Sequence, residues 1–138
     1  MNDFEVRQVA RGLLQAKVMN KTVLIAEDYR DAREMMKYLL EFYGYDVLEA
    51  CDGDEAVRNA HQFHPDLILM DLMMPRMDGL TATRLIRQDE TLAGIPIIAL
   101  TALGNAADEA AMASGCNEVV AKPMDFNRLE PLLSHYLD

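Results

Sequence analysis

The chain has 138 residues, of which 51% are apolar and 26% charged, and its formal net charge is −10. This length predicts one domain with a buried core, and the acidity argues against a nucleic-acid partner, because phosphate contacts need clustered Lys and Arg. No apolar run approaches the roughly 20 residues that span a bilayer, and no signal-peptide core opens the chain. Cys51 and Cys116 lack the paired spacing of a zinc motif or disulfide framework, which favours a cytoplasmic protein.

Residues 1–20 are predicted to form an amphipathic helical extension, separate from the domain of residues 21–138. Apolar side chains share one helical face of this extension and polar side chains the other. The apolar set is Val6, Val9, Ala10, Leu13 and Leu14. Two interpretations stay open: a terminal helix packed on its own domain, or a docking helix that could also join two copies into a homodimer.

From residue 21 onward, strand and helix patterns alternate with short connections, which is typical of a parallel sheet covered on both faces. Five apolar runs predict strands over residues 22–26, 46–50, 66–70, 97–100 and 119–121. Helical periodicity predicts helices over residues 32–43, 52–63, 79–90, 105–114 and 125–137. Pro131 predicts either a short capped turn before the last helix or a kink within it.

Charged and polar residues stand where four of these strands end. Glu27 and Asp28 follow the first strand, Asp71 the third, Thr101 the fourth and Lys122 the fifth. Because open α/β sheets bind ligands at the carboxyl ends of their strands, we expect these side chains to converge. Clustered carboxylates repel one another and need a cation, and all-oxygen ligation favours Mg²⁺. A lysine and a hydroxyl beside such an ion suit a phosphoryl group.

These residues resemble the motifs of the receiver domain of two-component response regulators. The matching segments are residues 24–28 (LIAED), 71–79 (DLMMPRMDG), 100–102 (LTA) and 122–123 (KP). The resemblance covers residues 21–138 and implies a flavodoxin-like, doubly wound sheet of five parallel strands. The implied strand order is 2-1-3-4-5, with five helices besides the N-terminal one.

The resemblance also implies a magnesium site. Asp28 and Asp71 are similar to direct Mg²⁺ ligands, Glu27 to a ligand acting through water, and the Met73 backbone carbonyl to the remaining protein ligand. Mg²⁺ keeps several waters in its shell, which agrees with so sparse a protein contribution.

Asp71 resembles the phosphoacceptor, whose carboxylate attacks the phosphorus of a phosphohistidine on a histidine kinase or histidine phosphotransfer protein. Thr101 and Lys122 are similar to the hydroxyl and the ammonium that bind the phosphoryl oxygens. The Lys122–Pro123 peptide bond is expected to be cis.

One position departs from the pattern that the resemblance implies, and two more positions flank the site. The family usually carries an aromatic residue three positions before the lysine, and this chain has Val119 there. Met73 and Leu103, which flank the site in this family, are apolar and offer no group that orients a hydrolytic water.

We therefore predict a single-domain response regulator, not a turnover enzyme, that is phosphorylated on Asp71 and then binds a downstream target protein differently. One alternative is a receiver fold that docks partners without phosphorylation. Another is an aspartyl-phosphate hydrolase, but Met73 stands where such an enzyme needs a second Asp. A nucleotide carrier is disfavoured because Glu27 and Asp28 would repel a bare phosphate.

Overall fold

The protein is described from a computed structural model, which places residues 2–9, 20–102 and 105–138. The described residues form five strands: β1 (Thr22–Ala26), β2 (Asp46–Ala50), β3 (Leu67–Asp71), β4 (Ile97–Thr101) and β5 (Glu118–Ala121). They alternate with five helices: α1 (Arg30–Phe42), α2 (Gly53–Phe63), α3 (Gly79–Gln88), α4 (Asn105–Ser114) and α5 (Phe126–Leu137). Every predicted strand is present, with ends that differ from the prediction by at most one residue.

The sheet has the order β2-β1-β3-β4-β5, and each neighbouring pair runs parallel. Parallel neighbours need a crossover connection, and here a helix crosses between each consecutive pair of strands. Because helices cover both faces, β3 and β4 are buried along their whole length, which explains their continuous apolar runs. The predicted doubly wound architecture and strand order are confirmed.

Alternate residues of each strand enter one of two apolar layers. One layer joins the sheet to α1 and α5 through Val23, Ile25, Met36, Leu40, Leu69, Leu129 and Leu133. The other joins it to α2, α3 and α4 through Leu24, Ile68, Met70, Ala56, Ala60, Ile86 and Ala111. The core therefore fixes the relative height of the strands, and with it the relative positions of their ends.

Helix boundaries follow local side-chain chemistry. Asp52 caps α2 by accepting a hydrogen bond from the Glu55 backbone N–H at 2.8 Å. The third helix ends at Gln88, two residues before the predicted end, because Asp89 turns the chain by accepting hydrogen bonds from the N–H and hydroxyl of Thr91. α5 runs as one helix through Pro131, so the predicted separate turn before it is wrong. Its N-terminus is capped by Asp125, which accepts a hydrogen bond from the Asn127 backbone N–H at 2.9 Å.

The N-terminal extension is helical over residues 3–9, where residues 2–9 are all exposed. Val6 and Val9, from its predicted apolar face, are each half exposed. Ala10, Leu13 and Leu14 lie outside the described residues, so the proposed packing or homodimer through this helix stays a prediction. Within the described parts of the chain, the helices are too short or too polar to cross a membrane.

The start of α3 lies against the end of β3 and fixes the loop between them. Gly79 donates its N–H to the Leu72 carbonyl at 3.1 Å, and a Cβ on Gly79 would collide with the Asp71 carbonyl and the Leu72 Cα. The backbone of the phosphoacceptor candidate can approach α3 this closely because residue 79 has no side chain.

We expect Gly79→Ala to destabilise the fold by about 2 kcal/mol, since backbone atoms must move apart to admit the methyl group. Gly94→Ala is the matched control, because a Cβ at that position meets nothing within 4 Å. Urea denaturation of both variants measures the difference. Equal stability of the two variants would contradict the close approach described here.

Candidate phosphoryl and metal site

Strand register brings two of the acidic positions together. Ala26 of β1 lies opposite Met70 of β3, so the next residues, Glu27 just after β1 and Asp71 at the end of β3, lie side by side. Both side chains are buried, whereas Asp28 is exposed at the turn that follows. One oxygen from each of these three carboxylates lies within 4.8 Å of the others. The predicted convergence of Glu27, Asp28 and Asp71 is confirmed as a geometric fact.

Lys122 lies between the two buried carboxylates. Its Nζ donates to Asp71 Oδ2 at 2.9 Å and contacts the Glu27 oxygens Oε1 and Oε2 at 3.2 and 3.3 Å. The other Asp71 oxygen, Oδ1, accepts a hydrogen bond from the Met73 backbone N–H at 3.0 Å. Asp71 is thus held in one orientation by contacts on both oxygens.

The pKa of Glu27 lies well above its ordinary value, chiefly because this carboxyl group is buried. Burial raises the pKa of Glu27 from its ordinary 4.5 to about 7, helped by a hydrogen bond to Asp71 and by the negative charge of that residue. Lys122 acts in the opposite direction but does not compensate. Burial also disfavours the ammonium, yet contacts with Asp71 and Glu27 outweigh this and raise the pKa of Lys122. By formal charge, the three carboxylates of this cluster outnumber the single ammonium of Lys122.

The end of β4 provides the hydroxyl. Thr101 is buried at the last position of that strand, opposite Ala121 of β5. Its carbonyl accepts the Lys122 N–H at 2.7 Å, so the backbones of the two residues are joined. The Lys122–Pro123 bond is cis, as expected. Thr101 is thus the last residue of β4 and Lys122 the first residue after β5, at the sheet edge where Asp71 ends β3.

A groove of about 550 Å³ opens beside Asp71 and Lys122. Its outer wall is apolar, and Tyr29, Met35 and Met73 in this wall are each about two thirds exposed. Sequence reasoning missed this wall, since Tyr29 and Met35 stand on α1 or at its start and carry no motif. Large exposed apolar surface next to a polar centre is typical of a protein-binding face.

Arg33 is a second residue that sequence reasoning did not find. It lies on α1 with its side chain mostly buried, and its Nη1 donates to the Glu27 carbonyl at 2.9 Å. Its Nε contacts Glu49 Oε1 of β2 at 3.3 Å. An arginine within a mixed polar and apolar helix carries no sequence signal of such a role.

Val119, at the position of the family's usual aromatic residue, pairs with Ala99 in the sheet. It is partly buried and packs against the apolar layer beneath α4. A β-branched side chain in a strand has restricted χ1, so this position lacks the swinging ring that an aromatic residue would provide. Leu103, which flanks the site in this family, lies outside the described residues.

In metal-free protein we expect the free energy of unfolding to fall as pH rises from about 4.5 to about 7. Folded protein keeps the Glu27 proton in this window, whereas unfolded protein has released it, so raising the pH favours unfolding. Urea unfolding in EDTA at pH 5.5 and pH 8 measures the change. Glu27→Gln removes the titrating group, and an identical pH trend in that variant would contradict the assignment.

Comparisons with known proteins agree with this geometry. Residues 23–134 match the family model of the response regulator receiver domain. The chain is 37% identical over 120 residues to the polar-differentiation response regulator DivK of Brucella ovis. The aligned region covers 86% of this chain and 98% of DivK.

Solved structures agree as well. One is the receiver domain of the sensor histidine kinase PA1611 from Pseudomonas aeruginosa PAO1, which has a magnesium ion coordinated in its active-site cleft. It superposes on this chain with a TM-score of 0.79 at 36% sequence identity, and the match covers 85% of this chain and 97% of that one. The receiver domain of the Saccharomyces cerevisiae response regulator Ssk1, solved with the histidine phosphotransfer protein Ypd1, gives 0.79 at 28% identity, covering 85% and 88%. This chain belongs to the response regulator receiver domain family.

Proposed function

We propose that this protein accepts a phosphoryl group on Asp71 from a phosphohistidine and signals through altered binding of a target protein. The observation that carries the proposal is the Asp71 carboxylate at the end of β3, 2.9 Å from the Lys122 ammonium and clustered with Glu27 and Asp28. In the transfer, one Asp71 oxygen forms a bond to phosphorus while the phosphorus–nitrogen bond to the donor histidine breaks. The released imidazole takes up a proton.

The donor set fits a divalent cation. Glu27, Asp28 and Asp71 present oxygen ligands within reach of one ion, and the Met73 backbone follows directly in the loop. Burial and the neighbouring Asp71 carboxylate raise the pKa of Glu27, and a bound cation would favour its ionised form. We propose that Asp28, Asp71 and the Met73 carbonyl hold Mg²⁺, with Glu27 bound through water. When bound, Mg²⁺ supplies charge neutralisation to the phosphoryl oxygens.

Lys122 and Thr101 take the remaining phosphoryl oxygens in this proposal. The Lys122 ammonium already contacts Asp71. It can therefore stabilise negative charge first on the carboxylate and then on the phosphoryl oxygens, as the bond between Asp71 and phosphorus forms. Thr101 ends the neighbouring strand and offers a hydroxyl on the same edge. Its hydrogen bond to a phosphoryl oxygen would draw the end of β4 toward Asp71 and so carry the signal outward.

The groove supports a protein as phosphodonor. The exposed side chains of Tyr29, Met35 and Met73 surround the approach to Asp71, and a protein surface can bury them while it delivers its phosphohistidine. Ssk1 is bound by a histidine phosphotransfer protein, and we propose that a histidine kinase or a protein of that class docks here. Methionine is flexible and polarizable, which suits a surface that adapts to its partner.

We expect Asp71→Asn to abolish acid-labile phosphorylation by phosphoramidate in the presence of Mg²⁺, since the amide is a poor nucleophile. The variant should be no less stable than wild type without Mg²⁺, because one of three clustered charges is removed. Asp78→Asn is the matched control: it also removes one charge from the same loop, and Asn caps α3 about as well as Asp. Phosphate incorporation equal in both variants would refute the assignment of Asp71.

We expect Met73→Asn to shorten the lifetime of the phosphorylated protein, because the amide can position a water that the thioether does not. Met73 is 63% exposed, so the substitution disturbs little packing. Loss of phosphate is followed by intact-protein mass spectrometry after the donor is removed. Met112→Asn, at an exposed methionine of α4, controls for a general effect of the substitution. An unchanged or longer lifetime in Met73→Asn would show that residue 73 only packs.

A further inference from the structure

Arg33 connects three elements just behind the acidic cluster. From α1 its guanidinium donates through Nη1 to the Glu27 carbonyl at the end of β1, at 2.9 Å. Through Nε it donates to Glu49 Oε1 of β2 at 3.3 Å. The side chain is only 14% exposed, so water competes weakly for these donors. A planar guanidinium with both contacts made has little freedom to rotate.

These contacts act on the backbone that presents the metal ligands. The Glu27 N–H donates to the Ala50 carbonyl at 3.0 Å, so Glu27 continues the ladder between β1 and β2. Its carbonyl instead meets Arg33. Because the peptide group is planar, holding that carbonyl also fixes the N–H of Asp28 and the direction in which the chain enters Asp28. Asp28 is itself exposed, with less packing around it than Glu27 has.

Charge does not explain Arg33. A cation this close to Glu27 opposes the binding of a second cation, and its pairing with Glu49 offsets part of that effect. Lys37, one turn further along α1, also approaches Glu49, at 3.5 Å, but its other contact among the described residues is with Glu41 and not with the Glu27 carbonyl. The two cations therefore share an acidic partner and differ in the backbone contact.

We propose that Arg33 is a positioning residue for the divalent-cation site: it holds the Glu27–Asp28 peptide so that Asp28 and Glu27 face Asp71. This inference builds on the proposed function and adds α1 to the elements that build the site. Residues that orient metal ligands from outside the coordination shell typically contribute about 10- to 100-fold to metal affinity. The outer side of the same helix carries the exposed apolar wall of the groove.

The test compares Mg²⁺ dissociation constants of full-length Arg33→Gln and Lys37→Gln, followed by amide shifts of Asp28 and Asp71 during titration. Each variant loses one positive charge and one partner of Glu49, and only the first loses the contact with the Glu27 carbonyl. We expect the dissociation constant of Arg33→Gln to rise about tenfold. We expect that of Lys37→Gln to stay within about twofold, since exposed charges contribute little.

The direction in which the Mg²⁺ dissociation constant changes in Arg33→Gln distinguishes a positioning role from an electrostatic or a purely stabilising one. An electrostatic role for Arg33 predicts tighter Mg²⁺ binding in Arg33→Gln, and a role in stability alone predicts a lower melting temperature without Mg²⁺ and an unchanged dissociation constant. Either result overturns the proposal. Arg33→Lys keeps the charge but cannot reproduce the two-armed contact, so we expect intermediate affinity. If Arg33→Gln does not fold, Arg33→Lys is the deciding variant. An Mg²⁺ affinity of Arg33→Lys equal to that of wild type then overturns the proposal.

The same titration distinguishes failure of this inference from failure of the proposed function. If wild-type protein shows no Mg²⁺-dependent shifts at Asp28 and Asp71, the cation site itself is wrong. If wild type binds Mg²⁺ there and Arg33→Gln binds it as tightly, the cation site stands and only the role of Arg33 is refuted.

Discussion

Repulsion among carboxylates is the constraint on which this structure depends. The fold holds Glu27, Asp28 and Asp71 with oxygens within 4.8 Å of one another, an arrangement that isolated side chains in water would avoid. The Lys122 ammonium contacts two of them, so one positive charge faces three carboxylates. The free energy for this crowding comes from the apolar layers on both faces of the sheet. The cluster is thereby suited to bind ligands that carry positive charge or that draw negative charge away from the carboxylates.

The parallel sheet turns that constraint into a defined geometry. Strands buried on both faces cannot slip in register without moving their apolar side chains out of the core. The ends of β1, β3, β4 and β5 are therefore fixed in height, and the functional groups lie at the last residue of a strand or within two residues after it. Two close contacts then limit how far the connecting loops can move. α3 approaches the backbone at the end of β3 closely at Gly79, and the Lys122 N–H donates a backbone hydrogen bond to the Thr101 carbonyl.

α1 contributes to the site from two sides. Its inner side holds the turn after β1 through Arg33, and its outer side, with Met35, forms part of the groove wall. A partner that shifts this helix would therefore act on the acidic turn, and binding energies at two coupled sites affect each other reciprocally. The partly buried Val119 of β5 lies away from α1, in the layer covered by α4. Docking of a donor and output to a target can in this way use different faces of one small domain.

Local sequence determined the positions of the strands and the main site residues. A buried strand needs a continuous apolar run, and a charged or polar residue marks where that run ends. Glu27, Asp71, Thr101 and Lys122 were found for that reason, although their roles stay proposals. Tertiary structure alone decided the contacts of Arg33 with β1 and β2 and the assembly of the groove wall. Those features join side chains far apart in sequence, and no periodicity or spacing along the chain records which helix face will lie behind which strand end.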